Sequence, residues 1–178
     1  MKLEFLSFDF DKFATEMQNL KDQKGFDYLV TIVGEDFGAE EGLGCVYILE
    51  NTNTHERCSV KMLAKNQVCG DGLASNGTGE TDGQMIPYIP TVSHIWRVAD
   101  LLEREVYDFY GIVFLGHKDM RRLFLRSDFK GYPFRKDWKF DDSYTLEDDV
   151  EPDYGLEYYL DQDGNLQSKQ NKLFGPDD

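Results

Sequence analysis

The chain has little of what a redox centre, a membrane span or a nucleic-acid surface requires. Its 178 residues hold three cysteines, Cys45, Cys58 and Cys69. They are odd in number and form no CxxC pair, so four-ligand zinc and iron–sulfur spacings are missing. Reduced thiols of a cytosolic protein are the plain account. Histidine is scarce too, and the three present (His55, His94, His117) show no metal-ligand spacing. No apolar run approaches the ~20 residues that span a bilayer. The stretch MKLEFLSFDFDKF carries acids and no small-residue cleavage site, unlike a signal peptide. Basic residues are in deficit, 19 Lys and Arg against 34 Asp and Glu, giving a net charge of −15. That excess argues against nucleic acid or an anionic membrane as the main partner. A soluble, cytoplasmic protein without direct membrane insertion is expected.

What is present reads as one domain with an irregular extension, long enough to bury about 70% of its unfolded surface. Residues 9–24 open on an aspartate able to cap, place Phe13, Met17 and Leu20 at helical spacing, and end at Gly25. Three runs then read as strands of one antiparallel meander: 26–33, 43–49, and 57–63 with Cys58, Val60 and Met62 on one side. Residues 65–84 hold five glycines, without the GxxxxGK[ST] or GxGxxG that would cradle phosphate, and read as a loop or hairpin extension. Met85–Pro90, with prolines at 87 and 90, suits an edge or extended entry.

A second helix is expected from Ser93, placed to cap it, to Gly111, placed for a left-handed C-terminal turn. Ile95, Ala99, Leu102, Val106 and Phe109 form its apolar stripe. Asp100, Arg104 and Asp108 follow at four-residue spacing, the pattern of a salt-bridged solvated face. After an apolar turn or strand at 112–115, residues 118–139 carry eight cations and three aspartates, a local +5. From 140 the sign reverses: twelve acids face only Lys169 and Lys172. That tail reads as an extended acidic arm, with Tyr144, Tyr154, Tyr158 and Tyr159 as possible anchors.

The stretch from 92 to 138 also carries two ordered boxes. The first is Glu103-Arg104-Glu105-x-x-Asp108-Phe109-Tyr110-Gly111-Ile112-x-Phe114-x-Gly116-His117, then Asp119-x-Arg121-Arg122-Leu123. The second is Asp128-Phe129-x-Gly131-Tyr132-Pro133-Phe134-Arg135-Lys136-Asp137. Together they resemble the C subunit of respiratory complex I, the 30 kDa subunit family of proton-pumping NADH–quinone oxidoreductase. Lys118 stands where that family carries proline, and Phe134 where leucine is usual. The resemblance is strong over about 91–139, weaker over 26–63, and absent from 65–84 and 140–178.

The fold the resemblance implies is α+β. A small mixed or antiparallel sheet packs on two helices, followed by an irregular docking segment and an extended C-terminal tail. The corresponding division is a compact domain over 1–117, a basic docking segment over 118–139 and an acidic tail over 140–178. The implied role is a non-catalytic structural and assembly subunit of the peripheral arm, on the cytoplasmic side of the inner membrane. It would dock against the D subunit, which forms the quinone site, and against the B and I iron–sulfur subunits. This chain would hold no cofactor; FMN, iron–sulfur clusters, NADH and quinone belong to its partners. The equivalent subunit of a membrane-bound [NiFe] hydrogenase is the nearest alternative.

A standalone enzyme is the sharper rival, with His117 as a base beside the Arg121–Arg122 pair. No activated Ser or Cys nucleophile accompanies them, and no catalytic activity is expected of the chain alone. The interface reading uses Arg121, Arg122, Arg126 and Arg135 as planar forks for a partner's carboxylates or carbonyls. Such groups are expected to be half-satisfied in the lone chain, so that reversing Arg121 and Arg135 would spare the fold and break docking. Glu103, Arg104, Glu105, Asp108, His117, Asp128, Gly131, Pro133, Lys136 and Asp137 complete the expected interface.

Overall fold

The three β-branched runs form the expected meander. In the computed structural model, which describes residues 5–68, 85–139 and 156–170, strands β2 (Tyr28–Asp36), β3 (Leu43–Glu50) and β4 (Arg57–Leu63) pair antiparallel. A short β1 (Phe5–Ser7) runs parallel to β4, so the order is β1-β4-β3-β2. Ile32 lies opposite Tyr47, and Tyr47 opposite Val60, all buried on one face. Leu29 and Ile32 are three apart, which in a regular strand points them to opposite faces. Both are nevertheless buried, because the register shifts between Leu29 and Thr31 and leaves Val30 as the extra residue of a bulge.

Both helices cover that buried face. A 3-10 turn (Phe10–Lys12) leads into α1 (Phe13–Asp22), whose Phe13, Met17 and Leu20 are buried as their spacing predicts. Phe13 meets Tyr47, ring centroids 5.2 Å apart. Helix α2 (Ala99–Tyr110) lies against β2, where Gly34 leaves room for Tyr110 and Val106. Gly111 ends it in the left-handed conformation (φ 67°), its N–H donating to the Tyr107 carbonyl.

The start of α2 departs from expectation. Ser93 does not cap it, since the helix begins at Ala99 behind Val98. Residues 93–95, His94 included, form a turn closed by Ile95 and Trp96 N–H on the Val92 carbonyl. The Ser93 side chain is engaged with Thr91 instead (Oγ–Oγ1 2.8 Å).

A second sheet, order β5-β6-β7, joins β5 (Lys65–Val68), β6 (Met85–Pro90) and β7 (Val113–Leu115). The β5–β6 pair is the base of the expected hairpin extension; 69–84 lie outside the described residues. β6 is central, not an edge. Its prolines are tolerated because β5 flanks only 85–88 and β7 only 88–90, so Tyr88 alone has neighbours on both sides.

The reading of 140–178 as an extended arm is corrected over 156–170. Strands β8 (Leu156–Leu160) and β9 (Leu166–Gln170) form an antiparallel hairpin. It joins the domain through Gly116 N–H to the Tyr158 carbonyl (2.9 Å) and Met120 N–H to the Leu156 carbonyl (3.2 Å). Tyr158 and Leu166 are buried in the common core. Tyr144, Tyr154 and the rest of that expectation fall outside the described residues. No helix of the described residues is long and apolar enough to cross a membrane.

Candidate docking surface on the ribbon after helix α2

Residues 117–138 contain almost no regular backbone pairing, so their N–H and C=O groups need other partners. Helix α2 supplies them. Asp108, fully buried, accepts three successive backbone N–H groups on Oδ2: Leu123 (3.1 Å), Phe124 (2.6 Å) and Leu125 (2.9 Å). Consecutive amides converging on one anion form a nest. The Asp108 Oδ1 accepts from Arg122 Nη1 (3.1 Å), which also reaches the Asp108 carbonyl (2.8 Å). Arg122 Nη2 then donates to the carbonyls of Phe129 (3.1 Å) and Gly131 (3.0 Å). Its side chain is only 4% exposed. One buried ion pair therefore shapes both boxes.

Arg104 repeats the device one turn earlier, donating to the carbonyls of Arg121 (3.3 Å) and Arg122 (3.1 Å). It lies 3.7 Å from Asp119, which Arg121 grips bidentately at 2.5 and 2.8 Å. The expected ladder Asp100–Arg104–Asp108 within the helix is thus replaced by bonds from helix to ribbon. The solvated-face reading fails for Arg104 and Asp108 because irregular backbone covers that side of α2.

At the helix C-terminus, Arg135 Nε donates to the Tyr110 carbonyl (2.5 Å) and the guanidinium lies 4.6 Å from the Tyr132 ring centroid. The cation satisfies a carbonyl the helix leaves free and opposes its dipole. A Cβ on Gly111 would collide with the Tyr132 ring and the Arg135 guanidinium, a second reason for glycine there. Burial lowers the Arg135 pKa. Lys136 N–H donates to Asp36 Oδ2 (2.8 Å), tying the second box to the end of β2 and holding the Asp36 carboxyl below its usual range. Asp36 carried no signal of its own in the sequence.

Glu103 and His117 form a separate buried cluster. Glu103 Oε1 accepts from Val92 N–H (2.7 Å), and Oε2 lies 2.6 Å from Thr91 Oγ1. Burial pushes its carboxyl up to about 8, against the pull of these two bonds, with Asp100 adding to the rise. The geometry agrees. One Thr91 proton cannot serve Ser93 and Glu103 together, whereas a protonated Glu103 donates to Thr91 and frees Thr91 to donate to Ser93. His117 Nδ1 accepts from Asp119 N–H (3.0 Å), so the ring proton sits on Nε2 and donates to the Asp100 carbonyl (3.0 Å). Burial lowers the His117 pKa. With both nitrogens engaged and no exposed surface, His117 is a structural pin and not the base the enzyme reading needs.

Of the residues read from the sequence, Glu103, Asp108, His117, Arg104, Arg122 and Arg135 are therefore spent inside the chain. The expectation that the arginines remain half-satisfied does not hold for Arg122, Arg104 or Arg135. Their acceptors are carbonyls of an irregular backbone, which no spacing rule reveals. Gly131, with φ 80°, and Pro133 shape the turn of the second box. Glu105, Arg126, Lys136 and Asp137 are exposed. Arg126 pairs with Asp128 at 3.0 and 3.1 Å. What sequence reading missed is aromatic. Phe124 and Phe134, 64% and 56% exposed, both stack on Phe109 of α2, with centroids 5.8 and 4.4 Å away.

Comparison with known proteins agrees with this arrangement. The family described as respiratory-chain NADH dehydrogenase, 30 Kd subunit, matches residues 6–144, well beyond the two boxes. The C/D subunit of NADH-quinone oxidoreductase from Bacteroides thetaiotaomicron is 40% identical over 174 residues, 92% of this chain and 30% of that protein. NADH-quinone oxidoreductase subunit 5 of Thermus thermophilus is 48% identical over 146 residues, 76% of this chain and 61% of that protein. The chain thus spans about a third of the first of these relatives. A chain from the membrane-bound sulfane sulfur reductase, an archaeal respiratory membrane complex, shares the fold, with TM-score 0.59 and 22% identity. That match covers 85% of this chain and 88% of the other.

Proposed function

The chain belongs to the respiratory-chain NADH dehydrogenase 30 kDa subunit family, and on that premise we propose that it is a non-catalytic assembly subunit of the peripheral arm of NADH–quinone oxidoreductase. It docks on the D subunit at the quinone site and on neighbouring iron–sulfur subunits, and acts on the cytoplasmic side of the membrane. Two relatives that carry the name C/D support the partnership with D in particular. Flavin, clusters, NADH and quinone are assigned to the partners.

The observation that carries the reading is how the ribbon is built. Its buried charges hold irregular backbone in one shape against α2, and its outward side carries aromatic rings and lysines. A segment fixed without a ladder and turned outward is suited to fitting another polypeptide, because little entropy is left to lose on binding. The reading is tested by purifying the tagged full chain from cells that make the native assembly and identifying its companions by mass. NADH–quinone oxidoreductase subunits, D among them, are the expected companions. Hydrogenase subunits in their place, or substrate turnover by the chain alone, would overturn it.

A further inference from the structure

We infer that Phe124, Phe109 and Phe134 form the anchor of this docking surface, received by an apolar pocket on the partner whose edge carries carboxylates. The inference rests on the docking reading above and names the part of the surface that dominates it.

Three observations converge. The rings are preassembled: both exposed phenylalanines stack nearly parallel on Phe109, with interplanar angles of 21° and 12°. Tyr110 supports Phe134 from the side at 5.7 Å. Their backbones are also fixed. Phe124 N–H donates to Asp108 Oδ2 (2.6 Å) and Phe134 N–H to the Phe109 carbonyl (3.1 Å). So the most exposed apolar rings of the ribbon sit on some of its shortest tethers, the reverse of what solvent exposure alone would favour. Rigid aromatic groups of this kind are the usual hot spots of interfaces.

The surroundings give the partner's chemistry. The ribbon has a local excess of cations in a chain of net charge −15, and Lys130 and Lys136 are exposed beside the rings in sequence. A pocket edged by Asp and Glu matches both features and would be steered toward this patch. A second copy of this chain, strongly acidic overall, would be repelled elsewhere.

The test compares the full chain with F124A/F134A, F124L/F134L and K130E/K136E, each mixed with the D-family subunit from the same source. Circular dichroism and a thermal melt first establish that each variant folds. F124A/F134A is expected to weaken binding at least tenfold with the melt nearly unchanged. F124L/F134L, which keeps apolar bulk, should recover most of it, and K130E/K136E should weaken it about threefold with a reduced salt dependence. Wild type that binds the D protein while F124A/F134A binds equally well overturns the anchor and leaves the docking reading intact. Wild type that does not bind it overturns the docking reading itself. Wild type that sediments as a dimer, converted to monomer by F124A/F134A, overturns the assignment of the patch to a partner.

Discussion

The meander β2–β3–β4 and the ribbon 117–138 solve the same problem by different means. Each must give every buried backbone group a partner. The meander does it with a regular ladder and needs its side chains only for apolar packing of one face. The ribbon has no ladder, so side chains of α2 replace it: Asp108 for the amides, Arg104 and Arg122 for the carbonyls. The shape of the meander is therefore set by pattern and volume, whereas the ribbon's is set by a few buried charges. The lesson is that charge in this family's boxes can serve internal architecture while still defining an interface.

The comparison is sharpened first at Asp108. Asp108→Ala leaves three amides without an acceptor and Arg122 buried without its counterion. A loss of about 4 kcal/mol is expected, at the level found for breaking a buried pair, and urea unfolding measures it. In the meander the corresponding loss needs volume and not charge. Leu49→Ala, fully buried between Leu29 and Cys58, should cost about 3 kcal/mol. If Asp108→Ala were as mild as a surface change, the contrast between the two regions would collapse.

Acidity offers a subtler probe. Folding raises the Glu103 carboxyl from 4.5 to about 8. The folded state then binds the extra proton across that interval, so stability is greatest below 4.5 and declines as pH rises toward 8. His117, lowered from 6.5 by burial, acts oppositely: its contribution is present above 6.5 and is lost as pH falls through its folded value. Glu103→Gln keeps the shape and removes the titration. Unfolding measured at pH 6 and pH 8 should show the wild type weaker at pH 8 and the variant without that decline. The smallest effect is expected back on the meander's surface, where Arg57 pairs with Glu50 at 2.6 Å but is 65% exposed. Arg57→Ala should change stability by less than about 1 kcal/mol.

How much of this was legible in the sequence follows the same division. Periodicity placed Phe13, Met17 and Leu20 inward and recovered the meander, because those elements obey local pattern. It also placed Gly111 at the helix end. It failed at Ser93, whose hydroxyl is taken by Thr91, and at the 156–170 hairpin. There LEYYL and LQSKQ offer little apolar alternation, and the pairing depends on the edge at Gly116 and Met120. The two boxes marked the right stretch but not which way their charges point. Arg135, expected to tolerate reversal, caps α2 from inside, so Arg135→Glu is expected to damage the fold before it affects any partner. Phe109 was counted toward the helix core, which hid its role as the seat for Phe124 and Phe134.

Hydrogen exchange at the amides of Leu123, Phe124 and Leu125 in the chain alone probes the ribbon most directly. Protection comparable to that of the β3 amides, present before any partner is added and lost in Asp108→Ala, is the expected result. Exchange at the rate of an unstructured loop in the wild-type chain would mean that its partner, and not its own buried charge, gives the ribbon its shape.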